Sequence, residues 1–222
     1  MRLLLINPNT SAHITARLAA SARQAMAADD LLSAVTASHG PAVVRTAEGL
    51  QAADLNAMAL ATAHAPDHDA IVLGISLDGA APRLRERFPQ CPVVGMTEAA
   101  LLTACLRSDR IGVVTLGESL LPLYWRRITE VGVASRVVGV EAPEAPAAFE
   151  PGAGDVSPAV LACLAEACDR LRCNGAQAIV LAGAVLCGYA QVLQARSGLP
   201  VFDGVDCAVR QARLQFESRA QA

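Results

Sequence analysis

The chain repeats itself. The stretch "AIVLGISLDGA" begins at Ala70 and "AIVLAGAVLCG" at Ala178, 108 positions later. "PVVG" at Pro92 returns as "PVFDG" at Pro200, and "RLLLIN" at Arg2 as "RIGVVT" at Arg110, each again offset by 108. Three anchors in the same order at one offset divide the sequence into two similar halves, 1–108 and 109–222. Each anchor is a short apolar run ending in turn residues, and Ala/Leu/Arg-rich segments separate the anchors. That is the pattern of a parallel sheet covered by helices. The expected architecture is therefore α/β: two Rossmann-like lobes with parallel sheets, related by a pseudo-twofold, with an active-site cleft between them. The halves are sequence halves, and the chain is free to cross between lobes.

Strands are expected at 2–6, 32–36, 70–73, 93–95, 111–115, 135–140, 178–181 and 201–202, with helices such as 11–28, 49–64, 98–107 and 158–173. The Pro/Ala/Gly-rich segment 141–158 reads as a loop over the second lobe. No window holds the roughly 18 uninterrupted apolar residues of a membrane span, and the apolar start breaks at Asn7-Pro8-Asn9, so a cytoplasmic location is the default expectation.

Lysine is absent: all 18 Lys/Arg residues are arginine. That excludes Schiff-base and pyridoxal-phosphate enzymes and P-loop NTPases, each of which needs a lysine amine. The arginines are dispersed and the net charge is −3, so nucleic acid is not an expected partner. Seven cysteines form no CxxC pair, and the five-residue spacing of Cys163, Cys168 and Cys173 places them on different helical faces, so no metal site is expected. His64 and His68 are split by Pro66 and suggest no ligand pair either.

Doubled parallel lobes place ligands at the carboxyl ends of strands, against helix N-termini. Four turns would converge there: "NPNTS" (7–11), "GISLDG" (74–79), "TLGES" (115–119) and "AGAVLCG" (182–188). Their small residues and hydroxyls suit a carboxylate or imide oxygen held by backbone amides. The competing reading is that Asn7, Asn9, Ser11 and Thr115 only shape turns and cap helices.

With "INPNTS", "SHGP" (38–41), "DAIVLG" from Asp69, "PVVGMTEAA" (92–100), "IGVVT" (111–115), "AIVLAGA" (178–184) and "GLPVFDGV" (198–205), the chain resembles the aspartate/glutamate/hydantoin racemase superfamily, most of all its hydantoin and allantoin racemase branch. The resemblance implies a cofactor-independent enzyme, isomerase or racemase, acting on a small carboxylate or cyclic ureide. It also implies a homo-oligomer. In that family one cysteine thiolate removes the α-proton and an opposing thiol protonates the other face. Laid on the family's "ACFGD" and "GCAG", those cysteine positions fall on Ile75 and Gly183, themselves 108 apart.

Neither position carries a thiol here. Cys187, four residues on, is the candidate displaced catalyst, with Ser76 as a second candidate at the carboxylate-binding side. Asp78 is a possible base or a helix cap. The resemblance carries substrate binding onto Asn7, Asn9, Thr10, Ser11, Gly74, Ile75, Thr115, Gly183 and Ala184, with Tyr124 on the next helix facing the cleft or the core. Arg45-Thr46 replaces the "Ile-Glu" that often follows the Gly40-Pro41 loop, which would favour a more anionic ligand. "Gly74-Ile75-Ser76-Leu77" is similar to the Gly-x-Ser-Leu of arylmalonate decarboxylase, so an arylmalonate-type decarboxylase or another single-donor isomerase, and a non-catalytic small-carboxylate binder, stand as alternatives.

Overall fold

The structure, a computed structural model, describes residues 1–145 and 156–219. Most of the 141–158 segment thus lies outside the described residues. Buried parallel strands need apolar side chains on both faces, and the eight strands follow the continuous apolar runs of the sequence. The first half runs β1 (Arg2–Asn7), α1 (Ala12–Ala25), β2 (Leu31–Thr36), α2 (Ala47–His64), β3 (Ala70–Leu73), α3 (Ala81–Arg87), β4 (Val93–Gly95) and α4 (Met96–Arg107). The second runs β5 (Ile111–Val114), α5 (Leu121–Glu130), β6 (Val137–Glu141), α6 (Pro158–Cys173), β7 (Ala178–Leu181), α7 (Ala190–Ser197), β8 (Val201–Asp203) and α8 (Gly204–Arg219). Both sheets are wholly parallel and share one topology, β2-β1-β3-β4 and β6-β5-β7-β8. Strands β3 and β7 meet their neighbours in equivalent register, Leu5 opposite Val72 in one and Val113 opposite Val180 in the other.

Alternation along each strand splits the core. Leu3 and Leu5 of β1 face a central cluster shared by both halves, whereas Leu4 and Ile6 face an outer cluster with α2 and α3. Helices α6 and α7 cover the outer face of the second sheet in the same way. The central cluster contains α4 and α8, which pack on each other and cross over: α8 lies on β3, β4 and α1, and α4 lies on β7 and β8. Their first residues, Met96 and Gly204, are repeat mates and abut so closely that a Cβ on Gly204 would lie 2.8 Å from Met96 Cε and 3.0 Å from its carbonyl oxygen. This crossing ties each half to the other's sheet. Helix α1 stops at Ala25, short of the expected Ala28, because the chain turns extended at Met26 before the Ala28-Asp29 turn. No helix among the described residues is long and apolar enough to cross a membrane.

Candidate functional site

A cavity of about 210 Å³ lies between the halves, at the carboxyl ends of β1, β2, β3, β5, β6 and β7. Its depth is neutral. Ile75 and Ser76 come from the β3 turn, Gly183 and Ala184 from the β7 turn, Thr115 follows β5, Asn9 follows β1, and Tyr124 descends from α5. Its mouth carries Arg45, Glu118 and Glu144, all exposed, and its side wall is apolar, with Val43, Val44 and Leu50 facing Leu116 and Leu120.

Ile75 and Gly183, the positions onto which the resemblance lays the family's cysteines, both line this one cavity. The residues beside them are also repeat mates, Ser76 and Ala184, and all four line the cavity. Among the described residues none of these four amides donates a hydrogen bond, whereas flanking amides are engaged: Gly74 to Ile6 O, Leu77 to Thr97 Oγ1, Ala182 to Val114 O. Two pairs of N–H groups without an internal acceptor, one pair from each half, suit oxygens that carry or develop negative charge.

Hydroxyls and amides complete the lining. Asn9 Oδ1 accepts from Asn7 Nδ2 (2.9 Å) and Ser11 N (2.9 Å), which leaves the Asn9 NH₂ as the group it can offer a ligand. Thr115 Oγ1 donates to Tyr124 Oη (3.0 Å), and Tyr124 Oη donates to Ala182 O (2.7 Å). Burial raises the phenol's pKa despite the Ser76 and Thr115 hydroxyls beside it, so Tyr124 is an orienting group and not a base at neutral pH.

Other expected ligand residues serve the scaffold. Asn7 is fully buried and donates to Ser11 O and Thr15 Oγ1 as well as to Asn9, which fixes the β1 turn. Ser11 caps α1, accepting from Ile14 N at 3.3 Å. Thr10 turns to the Gly40-Pro41 loop through its amide and hydroxyl. Gly74 is glycine because a Cβ would sit 2.7 Å from Leu18 Cδ1. None of these four lines the cavity; of the residues in the cap-and-turn reading, Asn7 and Ser11 make turn and cap hydrogen bonds away from it, while Asn9 and Thr115 line it.

Cys187 does not line it either. A short helical turn at 184–186 drives Leu186 inward and leaves Cys187 1% exposed in the central core. Its carbonyl accepts from Arg17 Nη1 (2.9 Å), and its thiol sits against Asp203. Burial first, and then the Asp203 charge, push that thiol well above the ordinary thiol range. The expectation of Cys187 as a displaced catalyst is corrected accordingly: the thiol is off the cavity wall and is held protonated. Cys168 and Cys207, pushed by burial to about 11 and about 12, are equally inert.

Asp78 is a helix cap. Its carboxylate accepts from the amides of Thr97 (3.1 Å) and Glu98 (2.7 Å) at the start of α4, occupying space that a Cβ on Gly95 would need: that atom would lie 2.3 Å from Asp78 Cγ. In the second half Asp203, the repeat mate of Gly95, caps α8 by accepting from Val205 N (2.9 Å) and Asp206 N (3.3 Å). One carboxylate thus caps each crossing helix, delivered from a different strand in each half.

Sequence reasoning missed the side wall and Glu144, while of the mouth it had singled out Arg45. Glu118 and Ser119 lie within the flagged "TLGES" turn, but Val43, Val44 and Leu50 follow the "SHGP" loop with nothing to mark them. Ser119 Oγ donates to Arg45 O (2.9 Å), joining the halves across the mouth.

Residues 3–212 match the Asp/Glu/Hydantoin racemase family. The chain is 29% identical over 216 residues to the hydantoin racemase of Paenarthrobacter aurescens, covering 96% of this chain and 89% of that one. It superposes on the allantoin racemase from Klebsiella pneumoniae with a TM-score of 0.90 at 26% identity, covering 99% of this chain and 89% of the other. Arylmalonate decarboxylase shares the fold, with a TM-score of 0.61 at 16% identity over 97% of this chain and 92% of that chain. Fold, paired turns and sequence agree that the chain belongs to the Asp/Glu/hydantoin racemase family.

Proposed function

We propose that this chain is a racemase-type enzyme for a small cyclic ureide or carboxylate of the hydantoin and allantoin kind, working without the family's two thiols. The observation that supports the reading is that the turns at 75–76 and 183–184, one from each half, line one cavity with four amides that donate no hydrogen bond among the described residues, at the positions onto which the resemblance lays the family's thiols, Ile75 and Gly183. A carbonyl or carboxylate oxygen of the ligand accepts from these amides and from the Asn9 NH₂. Loss of the acidic α-proton moves negative charge onto the oxygen that the amides hold, which lowers the barrier to the enolate. Among the described residues the carboxylates lining the cavity are Glu118 and Glu144, at its mouth. In this reading they or solvent carry the proton, and return to either face gives racemisation.

A second reading, ligand binding without turnover, is favoured by the absence of any carboxylate, thiol, imidazole or basic side chain in the depth of the cavity among the described residues, where the one titratable group is the Tyr124 phenol, raised by burial. One experiment separates the two. In D₂O, ¹H NMR of a 5-substituted hydantoin with the wild-type protein follows loss of the C5 proton, while calorimetry follows binding. Binding with exchange above the buffer rate, reduced in Glu118→Gln or Glu144→Gln, supports the enzyme. Binding with exchange at the buffer rate leaves the binding protein, and no binding across hydantoins, allantoin, aspartate and glutamate overturns both.

A further inference from the structure

The β3 turn that supplies Ile75 and Ser76 is strained. Leu77 (φ 72°) and Asp78 (φ 51°) are consecutive residues in the left-handed region, where side chains other than those of Gly, Asn and Asp are rare. Such a turn persists only if its surroundings hold it, and here the holding group is identifiable. Leu77 N donates to Thr97 Oγ1 (3.0 Å), and the Asp78 carboxylate, fully buried, takes the Thr97 and Glu98 amides.

From the other half, Arg127 on α5 reaches in with Nη2 3.6 Å from Asp78 Oδ2 and 2.7 Å from Glu98 Oε2. Arg127 is one helical turn beyond Tyr124, the α5 residue on the cavity wall. We propose that Asp78 is a positioning residue that couples the two walls of the cleft, gripping α5 through Arg127 when ionised and releasing it when protonated.

The charges around Asp78 are arranged for this. Arg127 faces it from α5, with the Tyr124 phenol nearby; Glu98 faces it from α4 and is itself paired with Arg85 of α3 at 3.0 Å. Arg127 also lies 3.8 Å from Glu130, so when Asp78 loses its charge the guanidinium keeps two other carboxylates and moves toward them. Burial opposes the Asp78 charge more than Arg127 and the amides support it, and the carboxyl titrates at about 6. The grip therefore changes between mildly acidic and neutral pH.

The inference deepens the cleft assignment, but its first readout needs no ligand. The chain has one tryptophan, Trp125, between Tyr124 and Arg127 on α5, and it is 41% exposed. Its emission is titrated from pH 4.5 to 8 in wild type, Asp78→Asn and Arg127→Gln, and the affinity for 5-benzylhydantoin is titrated alongside. Wild type is expected to show a one-proton transition near pH 6, with hydantoin bound several-fold more weakly on the acid side. Asp78→Asn is expected to lose that component and keep the acid-side emission at all pH values, while any histidine contribution persists in it. Arg127→Gln is expected to shrink the transition, because the grip on α5 is gone, and to move the midpoint of what remains upward, because the cation that favours the ionised carboxyl is gone too.

A wild-type-like transition in Asp78→Asn overturns the proposal, as does an unmoved midpoint in Arg127→Gln, which stands as the test if Asp78→Asn fails to fold. Failure of hydantoin to bind, with the emission transition behaving as described, removes the ligand assignment and leaves the coupling of the walls intact.

Discussion

Restoring a thiol at Gly183 and at Ile75 tests whether this cleft lacks only its acid/base groups. Gly183 has φ 178°, ordinary extended backbone, so a side chain meets no conformational penalty there. An added Cβ would lie 3.3 Å from Leu186 Cγ and 3.9 Å from Thr115 Oγ1, which asks Leu186 to yield by a few tenths of an ångström. The chain-entropy gain on replacing glycine, about 0.4–1 kcal/mol, offsets most of that strain. Ile75→Cys removes apolar volume from a residue 5% exposed, at a cost of about 1–2 kcal/mol, less than a sealed core site because one side is the cavity. The double variant is therefore expected to fold.

Positioned acid/base groups contribute about 10²–10⁴-fold, or roughly 3–5 kcal/mol of barrier. Deuterium incorporation at C5 of each enantiomer of 5-benzylhydantoin, read by ¹H NMR beside optical rotation, should rise by about 100-fold or more over wild type in the double variant, and less in either single variant. A double variant that unfolds at the wild-type temperature and binds hydantoin, yet exchanges no faster, would refute the placement of 75 and 183 on opposite faces of the reacting carbon.

Four further outcomes follow from the same geometry. Tyr124→Phe leaves the buried Ala182 carbonyl without its 2.7 Å donor and should cost about 1–3 kcal/mol in urea unfolding. Gly95→Ala forces a Cβ into Asp78 and should destabilise by about 2 kcal/mol or more, with Asp78→Gly in the same chain recovering part of the loss. Because the folded chain holds the Asp78 proton to about pH 6, against about 3.9 when unfolded, this group's contribution is complete below about pH 4 and is lost as pH rises through 6. Wild-type stability should therefore fall from pH 5 to pH 7.5 by about 1 kcal/mol more than that of Asp78→Asn. Leu106 and Leu214 are exposed apolar residues on the crossing helices α4 and α8, and sedimentation is expected to show a homodimer or larger assembly.

The lobes were legible because parallel strands buried on both faces must be unbroken apolar runs, and because the offset of 108 preserved them in order. The crossing of α4 and α8 was not: an apolar stripe states that a helix is buried, not which sheet covers it. Ile75, Ser76, Thr115, Gly183, Ala184 and Asn9 were legible as strand-end turns facing one cavity. Cys187 was not, because a single helical turn at 184–186 decides whether the next side chain enters the cleft or the core, and four residues of spacing fit both. The repeat also hid the second cap, since it pairs Asp203 with Gly95, whereas Asp78, paired with Leu186, stood already as a base or a helix cap. Arg127 read as one of several dispersed charges in "WRR". The only signal for it was its place one turn beyond Tyr124, which has meaning once Tyr124 is known to line the cavity.

The most direct test of a thiol-free cleft is C5 deuterium exchange of 5-substituted hydantoins by wild type beside Cys187→Ser, with folding of both checked by circular dichroism. The account predicts exchange above the buffer rate that is the same in the two proteins, because the Cys187 thiol lies against Asp203 and away from the cavity. Exchange abolished in a folded Cys187→Ser would contradict it and return the chemistry to a cysteine.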